Sequence, residues 1–268
     1  MTNMAPVALV TGASSGIGLA TARALRGAGY RVFGTTRRVD PASTSNITMI
    51  SCDITDEASV VSAVASVISQ TGRIDLLVNN AGFGLLGAAE ESSIDQAHML
   101  FDVNVFGMIR MVNAVLPTMR AAGRGRIINI SSVFGLMPAP YMALYAASKH
   151  AVEGYTESLD HETQHFGIRA LTIEPANTKT AFNAHLATAD RPQDVYEPVR
   201  AIMTNMVVRM AQTGDEPDVV AQTIVKAAQT AKPVLRYPAG RGRKLALPRR
   251  FVPADAFDKS LRKQLGVD

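Results

Sequence analysis

Short apolar runs alternate along this chain with longer stretches whose apolar positions recur at helical spacing, the pattern of strands and covering helices in an α/β protein. Pro6-Val7-Ala8-Leu9-Val10, Tyr30-Arg31-Val32-Phe33-Gly34-Thr35-Thr36 and Ile47-Thr48-Met49-Ile50-Ser51-Cys52 read as the first three strands. Gly72-Arg73-Ile74-Asp75-Leu76-Leu77-Val78 leads into a fourth, Arg126-Ile127-Ile128-Asn129-Ile130 is a fifth, and Ile168–Pro175 is a sixth. Between them, residues 19–26 have helical character with Gly29 as a stop, and Glu57–Thr71 carries Val60, Val61, Val64, Val67 and Ile68 on one side. Ser93-Ile94-Asp95-Gln96 has capping-box spacing and opens a helix that is apolar on more than one side, through Met99, Val105, Met111 and Val115. Such a helix is deeply buried or faces a partner subunit. Pro117 is expected to bend its last turns before Gly123, and a further long helix runs to Phe166 with Gly167 as its stop.

Composition narrows the class without naming a chemistry. With 268 residues, 47% hydrophobic and 19% charged, the chain fits a single soluble α/β domain over 1–268, with no Pro/Gly/Ser-rich linker to divide it. One cysteine, Cys52, excludes an intramolecular disulfide framework and points to a reducing, cytoplasmic setting. The N-terminus lacks a basic leader, and no apolar run reaches the ~18 residues of a membrane span. The net charge of +4 is uneven: ten Lys or Arg against three Asp in 232–268 give +7, which leaves −3 elsewhere. A basic tail at about 239–268 is expected as a solvated face. Membrane-surface contact is the sharper alternative, and no aromatic interleaving suggests nucleic acid.

The candidate chemistry sits at the strand ends. After the first strand comes Thr11-Gly12-Ala13-Ser14-Ser15-Gly16-Ile17-Gly18, then a helix. Gly12 permits a tight turn, Gly16 lets backbone approach a pyrophosphate, and Gly18 lets helix and strand pack closely. The helix N-terminus offers free N–H groups to phosphates. Arg37 and Arg38 close the second strand where an NAD-binding protein of this type carries an acidic residue, and two guanidinium groups suit a 2′-phosphate, so NADP(H) is expected over NAD(H). Asp53-Ile54 closes the third strand, and Asp53 either accepts from an adenine amino group or fixes the turn into the next helix. Asn79-Asn80-Ala81-Gly82 is a polar turn of small residues against which a nucleotide could lie. Asn104 interrupts an apolar helix, as a kinking residue or as a polar relay. Tyr145 and Lys149 stand one helical turn apart on one face, and an ammonium beside a phenol lowers the phenol's pKa. No metal site is expected.

Taken together, Thr11-Gly-x-x-x-Gly-x-Gly18, Asp53, Asn79-Asn-Ala-Gly82, Asn104, Ser132, Tyr145-x-x-x-Lys149 and Pro175-x-x-x-x-Thr180 resemble the single-domain short-chain dehydrogenase/reductases in order and spacing, over about residues 5 to 238. The resemblance implies a Rossmann-type doubly wound sheet of seven parallel strands, with Pro233-Val234-Leu235-Arg236-Tyr237 as the last, and hydride transfer at a carbinol or carbonyl carbon. It implies Tyr145 as general acid/base and Lys149 as its pKa partner, which also holds the nicotinamide ribose. Ser132 would bind the substrate oxygen, and Asn104 the water that links Lys149 to solvent. Ser14, Ser15, Ile17, Ile54, Asn80, Ala81, Gly82, Pro175, Thr178 and Thr180 complete the implied cofactor contacts. Ala176 stands where the family often has glycine, which implies a changed loop geometry there. The C-terminal segment is similar to the ends of bacterial relatives of the steroid and retinol dehydrogenase branch.

The stretch 181–214 has the length of a substrate lid. Met203, Met206 and Met210 within it, with Met137 and Met142 before Tyr145, suit either a bulky apolar substrate or a core. The expected partners are an apolar small molecule and a second copy of the chain, as homodimer or homotetramer through helices at 94–122 and 143–166. A non-catalytic NADP-binding regulator on the same fold, and an epimerase or dehydratase of the extended relatives, are the alternatives. Ser132, Tyr145 and Lys149 together speak against the first, and the chain is short for the second.

Overall fold

Branched and aromatic side chains suit a pleated surface buried on both faces, and the apolar runs pair accordingly. The computed structural model describes residues 5–39, 47–184, 186–242 and 253–265. Its strands are β1 (Val7–Val10), β2 (Arg31–Thr36), β3 (Thr48–Ser51), β4 (Leu76–Asn79), β5 (Leu85–Leu86), β6 (Gly125–Ile130), β7 (Ile168–Pro175), β8 (Ala187–Thr188) and β9 (Arg236–Ala239). Seven of them form one parallel sheet in the order β3-β2-β1-β4-β6-β7-β9, and β5 and β8 pair with each other. This is the expected Rossmann-type doubly wound sheet. The order runs one way from β1 to β3 and the other way from β4 to β9, so a crevice opens where β1 and β4 part.

Strand parity sorts the core into two layers. Val7, Leu9, Leu77, Ile127, Ile168 and Ala170 face one side, where α2 (Glu57–Thr71), α4 (Gly107–Ala122) and α5 (Ala143–Thr163) pack. Ala8, Val10, Leu76, Val78, Ile128 and Leu171 face α1 (Gly16–Gly27) and α8 (Pro217–Gln229) on the other. Each Leu or Ile buried here contributes about 1.5–3 kcal/mol. Helix ends follow local chemistry. Asp56 caps α2 by accepting from the N–H groups of Ala58 and Ser59, and Gly72, at φ 71°, ends it in the left-handed conformation.

The remaining helices are α3 (Ile94–Phe101), the single turn α6 (Ala181–Ala184), α7 (Glu197–Thr213) and α9 (Ala254–Leu265). A π-helical turn, Asp102–Phe106, joins α3 to α4, so Ile94–Ala122 is one continuous 29-residue helical stretch. By length and apolar composition this stretch could cross a membrane, contrary to the expectation that no run is long enough. It serves here as a core helix: Met111, Val112, Val115 and Met119 are fully buried in the sheet-facing layer, and its Arg110 and Asp102 pair at 2.7 Å. The α4 helix continues through Pro117 to Ala122. The last strand begins at Arg236, three residues later than expected, and the carbonyl of the preceding Leu235 already accepts from the Thr172 N–H. Much of the basic tail, 243–252 and 266–268, lies outside the described residues.

Candidate active site

A side chain ties the turn after β1 to the end of β4. Asn80 Nδ2 donates to the carbonyls of Thr11 (2.9 Å) and Gly12 (3.2 Å), while Thr11 Oγ1 accepts from the N–H groups of Asn80 and Ala81. These bonds pin the turn 11–18 to the end of β4. Gly12 and Gly16 sit at φ 64° and 52°, which disfavours side chains, and a Cβ on Gly18 would fall 2.2 Å from the Gly12 carbonyl oxygen. Ser15 is the residue before α1, and its side chain makes no capping bond, so the first N–H groups of α1 keep their donors for an anion.

A cavity of about 960 Å³ extends from this turn across the C-terminal edge of the sheet. Its first half is lined by Gly12, Ser14, Ser15, Gly16 and Ile17, then by Arg37, Asp53 and Ile54, then by Asn80, Ala81 and Gly82. Pro175, Thr178 and Thr180 close it from the end of β7. Thr180 lies over the turn, with its Cβ 3.3 Å from where a Gly16 Cβ would be. These features form a backbone-lined cradle with a guanidinium at its far end, and they fit a nicotinamide dinucleotide.

Three expected residues are placed differently. Gly18 lies behind the cavity wall, where it packs α1 on the turn. Arg38 is exposed and not among the lining residues, and its carbonyl accepts from Thr36 Oγ1. Asn104 also lies outside the lining. Its Oδ1 accepts from the Phe83 N–H at 3.0 Å, and its Nδ2 donates to the Phe83 carbonyl and to Ser148 Oγ. These bonds fix the π turn to the segment after β4 and to α5. Asp53 does line the cavity, yet one oxygen accepts from both the N–H and the hydroxyl of Thr55, the turn-fixing alternative. Those bonds, ahead of the more distant Arg37 and Arg110 charges, hold its carboxyl below the usual range against the effect of burial.

Tyr145, Lys149 and Ser132 meet at the centre of the cavity. Ser132 leaves β6 in extended conformation and its hydroxyl accepts from the Phe134 N–H at 3.2 Å. Tyr145 and Lys149 project from the first turns of α5, on its buried face. Lys149 Nζ donates to the Ile130 carbonyl at 2.9 Å and stands 5.7 Å from the Tyr145 ring centroid. The expected lowering of the phenol pKa is not found. Burial pushes Tyr145 up to about 12, and only its hydrogen bond with Ser132 opposes this. Lys149 Nζ bonds to the Ile130 carbonyl, and its own burial lowers it to about 8. In this state the phenol is a proton donor at neutral pH.

The second half of the cavity is apolar. Phe83, Phe134, Met137, Met142, Phe182 and Leu186 line it, with Met203, Met206, Val207 and Met210 of α7. Met203 and Met142 are also members of the buried cluster around Tyr145, so they are wall and core at once. The Phe182 ring lies 5.9 Å from that of Tyr145. Phe83, Phe134 and Phe182 were missed in the sequence reading, although each falls within two residues of a recognised position: Gly82, Ser132 and Thr180. The stretch 187–200 is stapled to 84–96. The β5–β8 pair, Asp190 on Ser93, Gln96 on the Thr188 carbonyl, and buried Glu91 on Arg200 and on the Gln193 N–H make the staple.

A turn that cradles phosphates, a parallel sheet with a switch-point crevice, and a Ser–Tyr–Lys cluster beside it define a Rossmann-fold oxidoreductase class. Comparison with known proteins agrees. The short chain dehydrogenase family matches over residues 6–191, and the chain belongs to that family. It is 37% identical to a 3-ketodihydrosphingosine reductase of Bacteroides thetaiotaomicron, over 87% of each chain. It is 34% identical to retinol dehydrogenase 8 of Bos taurus, covering 85% of this chain and 79% of that one. A short-chain dehydrogenase from Streptomyces avermitilis superposes with a TM-score of 0.84 over the full length of both chains, at 32% identity. Solved members of the family bind nicotinamide cofactors, NADP in some and NAD in others.

Proposed function

We propose that this short-chain dehydrogenase moves a hydride between NADP(H) and the carbonyl or secondary alcohol carbon of a lipophilic substrate, as a ketone or aldehyde reductase or an alcohol dehydrogenase. The observation that carries the reading is the position of Tyr145 and Ser132, at the seam between a backbone-lined cradle and an apolar chamber. The nicotinamide, when bound, supplies or takes the hydride. Ser132 Oγ orients the substrate oxygen, and Tyr145 gives it a proton on reduction or removes one on oxidation. Lys149 carries the positive charge that stabilises the phenolate left behind and would hold the nicotinamide ribose.

Arg37 at the cradle's far end supports a 2′-phosphate and so NADP. An apolar wall with five methionines and three phenylalanines supports a bulky lipophilic substrate, and so do relatives named for 3-ketodihydrosphingosine and retinol. The stretch 181–214, carrying α6 and α7 over the chamber, acts as its lid, within one catalytic domain. Ile94, Met99 and Phe106 are exposed on the outer face of the α3–α4 stretch and support a homo-oligomer built through it. A reducing, cytoplasmic setting suits the lone buried thiol of Cys52. The deciding experiment is a panel of ketones, aldehydes and alcohols followed at the nicotinamide absorbance with both cofactors. Turnover of long-chain ketones with NADPH is expected; preference for sugars or hydroxy acids would refute the lipophilic reading.

A further inference from the structure

Tyr145, Lys149 and Glu153 follow one another at four-residue spacing along the buried face of α5. The first two enter the cavity. Glu153 stands behind them, 5% exposed, and the chemistry above makes no use of it. Its carboxylate shares a polar cluster with side chains of β7 and β9. Thr172 Oγ1 lies 3.2 Å from Glu153 Oε2 and 3.3 Å from Glu174 Oε1. Arg236 Nε donates to Glu153 Oε2 at 3.0 Å and its Nη2 to Glu157 Oε2 at 2.9 Å, while Nε is 3.8 Å from Glu174 Oε1.

The single Thr172 hydroxyl proton is shared between the two carboxylates. Burial, and then the Glu153 charge, push Glu174 up to about 7, while the Thr172 hydrogen bond and Arg236 work against them. Arg236 offsets one negative charge but is spent on Oε2, and Glu153 Oε1 is buried with no hydrogen-bond partner among the described residues. The turn 133–135 packs against this part of α5: a Cβ on Gly135 would fall 3.0 Å from the Lys149 carbonyl oxygen and 3.1 Å from Glu153 Cγ. The titratable or charged groups around Glu153 are Lys149 and Glu157 on α5, Glu174 on β7 and Arg236 on β9, and the turn 133–135 adds none. Tyr145 on α5 is the other titratable group beside Lys149. Burial is what lowers Lys149, and the Glu153 charge works against it.

We propose that Glu153, fixed by Thr172, Glu174 and Arg236, is a positioning residue that holds the ammonium charge of Lys149 beside Tyr145. The inference rests on the reading of Tyr145 and Lys149 as the proton-handling pair. Its test reads Lys149 directly: an NMR titration of lysine-labelled, cofactor-free protein, with Lys149→Met to assign the signal. In Glu153→Gln the Lys149 midpoint falls by about one pH unit. The alkaline limb of kcat/KM for reduction of 2-decanone with NADPH moves with it. Glu174→Gln shifts both by less in the same direction, Glu153→Asp restores most of the parent behaviour, and Glu157→Gln leaves both in place. If Glu153→Gln does not fold, Glu174→Gln carries the test. A Lys149 midpoint unchanged in the folded variants, with only thermal stability lost, overturns the proposal. Full turnover in Tyr145→Phe would instead sink the proton-handling reading, and the NMR titration would still decide the role of Glu153.

Discussion

The glycine-turn half of the cavity is walled by backbone, and the methionine half by side chains. In the first, Gly12 and Gly16 hold left-handed φ values, Gly18 leaves no room for a methyl, and Asn80 ties the turn to β4. In the second, Phe83, Phe182, Met206 and Met210 give the wall its shape, and none of them fixes the chain's path. Backbone geometry is all or nothing, since a turn that needs φ near +60° accepts few residues. A side-chain wall is degenerate, since many apolar combinations fill the same volume. The first half suits a constant ligand, the dinucleotide, and the second suits whatever substrate selection has favoured.

Tyr145 stands where the halves meet, and its removal should have the largest effect. Tyr145→Phe keeps the ring against Phe182 and loses only the proton donor. Turnover is expected to fall by about 10³-fold or more, while dinucleotide affinity, followed by nicotinamide fluorescence, stays within about twofold. Substantial residual activity would remove Tyr145 from the chemistry and leave the two halves without a joint.

Gly18→Ala comes next and tests the rigid half. The added methyl would meet the Gly12 carbonyl oxygen at 2.2 Å and Asn80 Nδ2 at 2.5 Å, so the turn must move. A stability loss of about 2–3 kcal/mol is expected, read as a lower thermal midpoint, with dinucleotide affinity reduced at least tenfold. A variant that binds the dinucleotide normally would show that the turn adapts, and the contrast between the halves would weaken.

This difference in rigidity also explains what could be read from the sequence. Six of the sheet's strands and the turn 11–18 were legible because parallel strands demand apolar runs and the turn demands glycine at set positions, while the seventh strand followed from the family resemblance. Tyr145 and Lys149 were legible as a pair from their helical spacing, and Ser132 joined them through the family resemblance. What failed depended on competition between partners. The pKa of Tyr145 is raised by its burial, and Lys149 bonds to the Ile130 carbonyl, neither of which spacing alone can say. Asn104 was recognised as a buried amide, but its partners, Phe83 and Ser148, belong to other elements. Glu153 and Glu174 lie 21 residues apart in the sequence, and only the packing of α5 on β7 brings them to one threonine.

Arg37→Gln tests the far end of the rigid half and should have a moderate effect. A charge-assisted contact to a 2′-phosphate gives roughly tenfold in affinity, so NADPH should weaken by about that factor and NADH by less than about twofold. Arg38→Gln should change either by less than about threefold, because Arg38 lies outside the cavity lining. Equal losses of both cofactors in Arg37→Gln would remove the phosphate argument.

The smallest effect is expected in the methionine half. Met206 is half-buried in the cavity wall, and α7 is anchored elsewhere by Arg200 on Glu91. Truncation to alanine therefore removes wall and leaves the frame. A flexible, polarizable side chain that contacts a ligand loosely contributes on the order of 1 kcal/mol, so kcat/KM should change only a few-fold. The direction should depend on substrate size: across a series of 2-alkanones, Met206→Ala should lose most on chains that end at the thioether and least, or even gain, on longer or branched ones. Met206→Leu, close in volume, should leave the series nearly as in the parent. Dinucleotide affinity should not move in either variant. A uniform loss of about 100-fold across the series would mean that this wall is as unforgiving as the glycine turn. A change in NADPH binding would mean that the two halves are mechanically one.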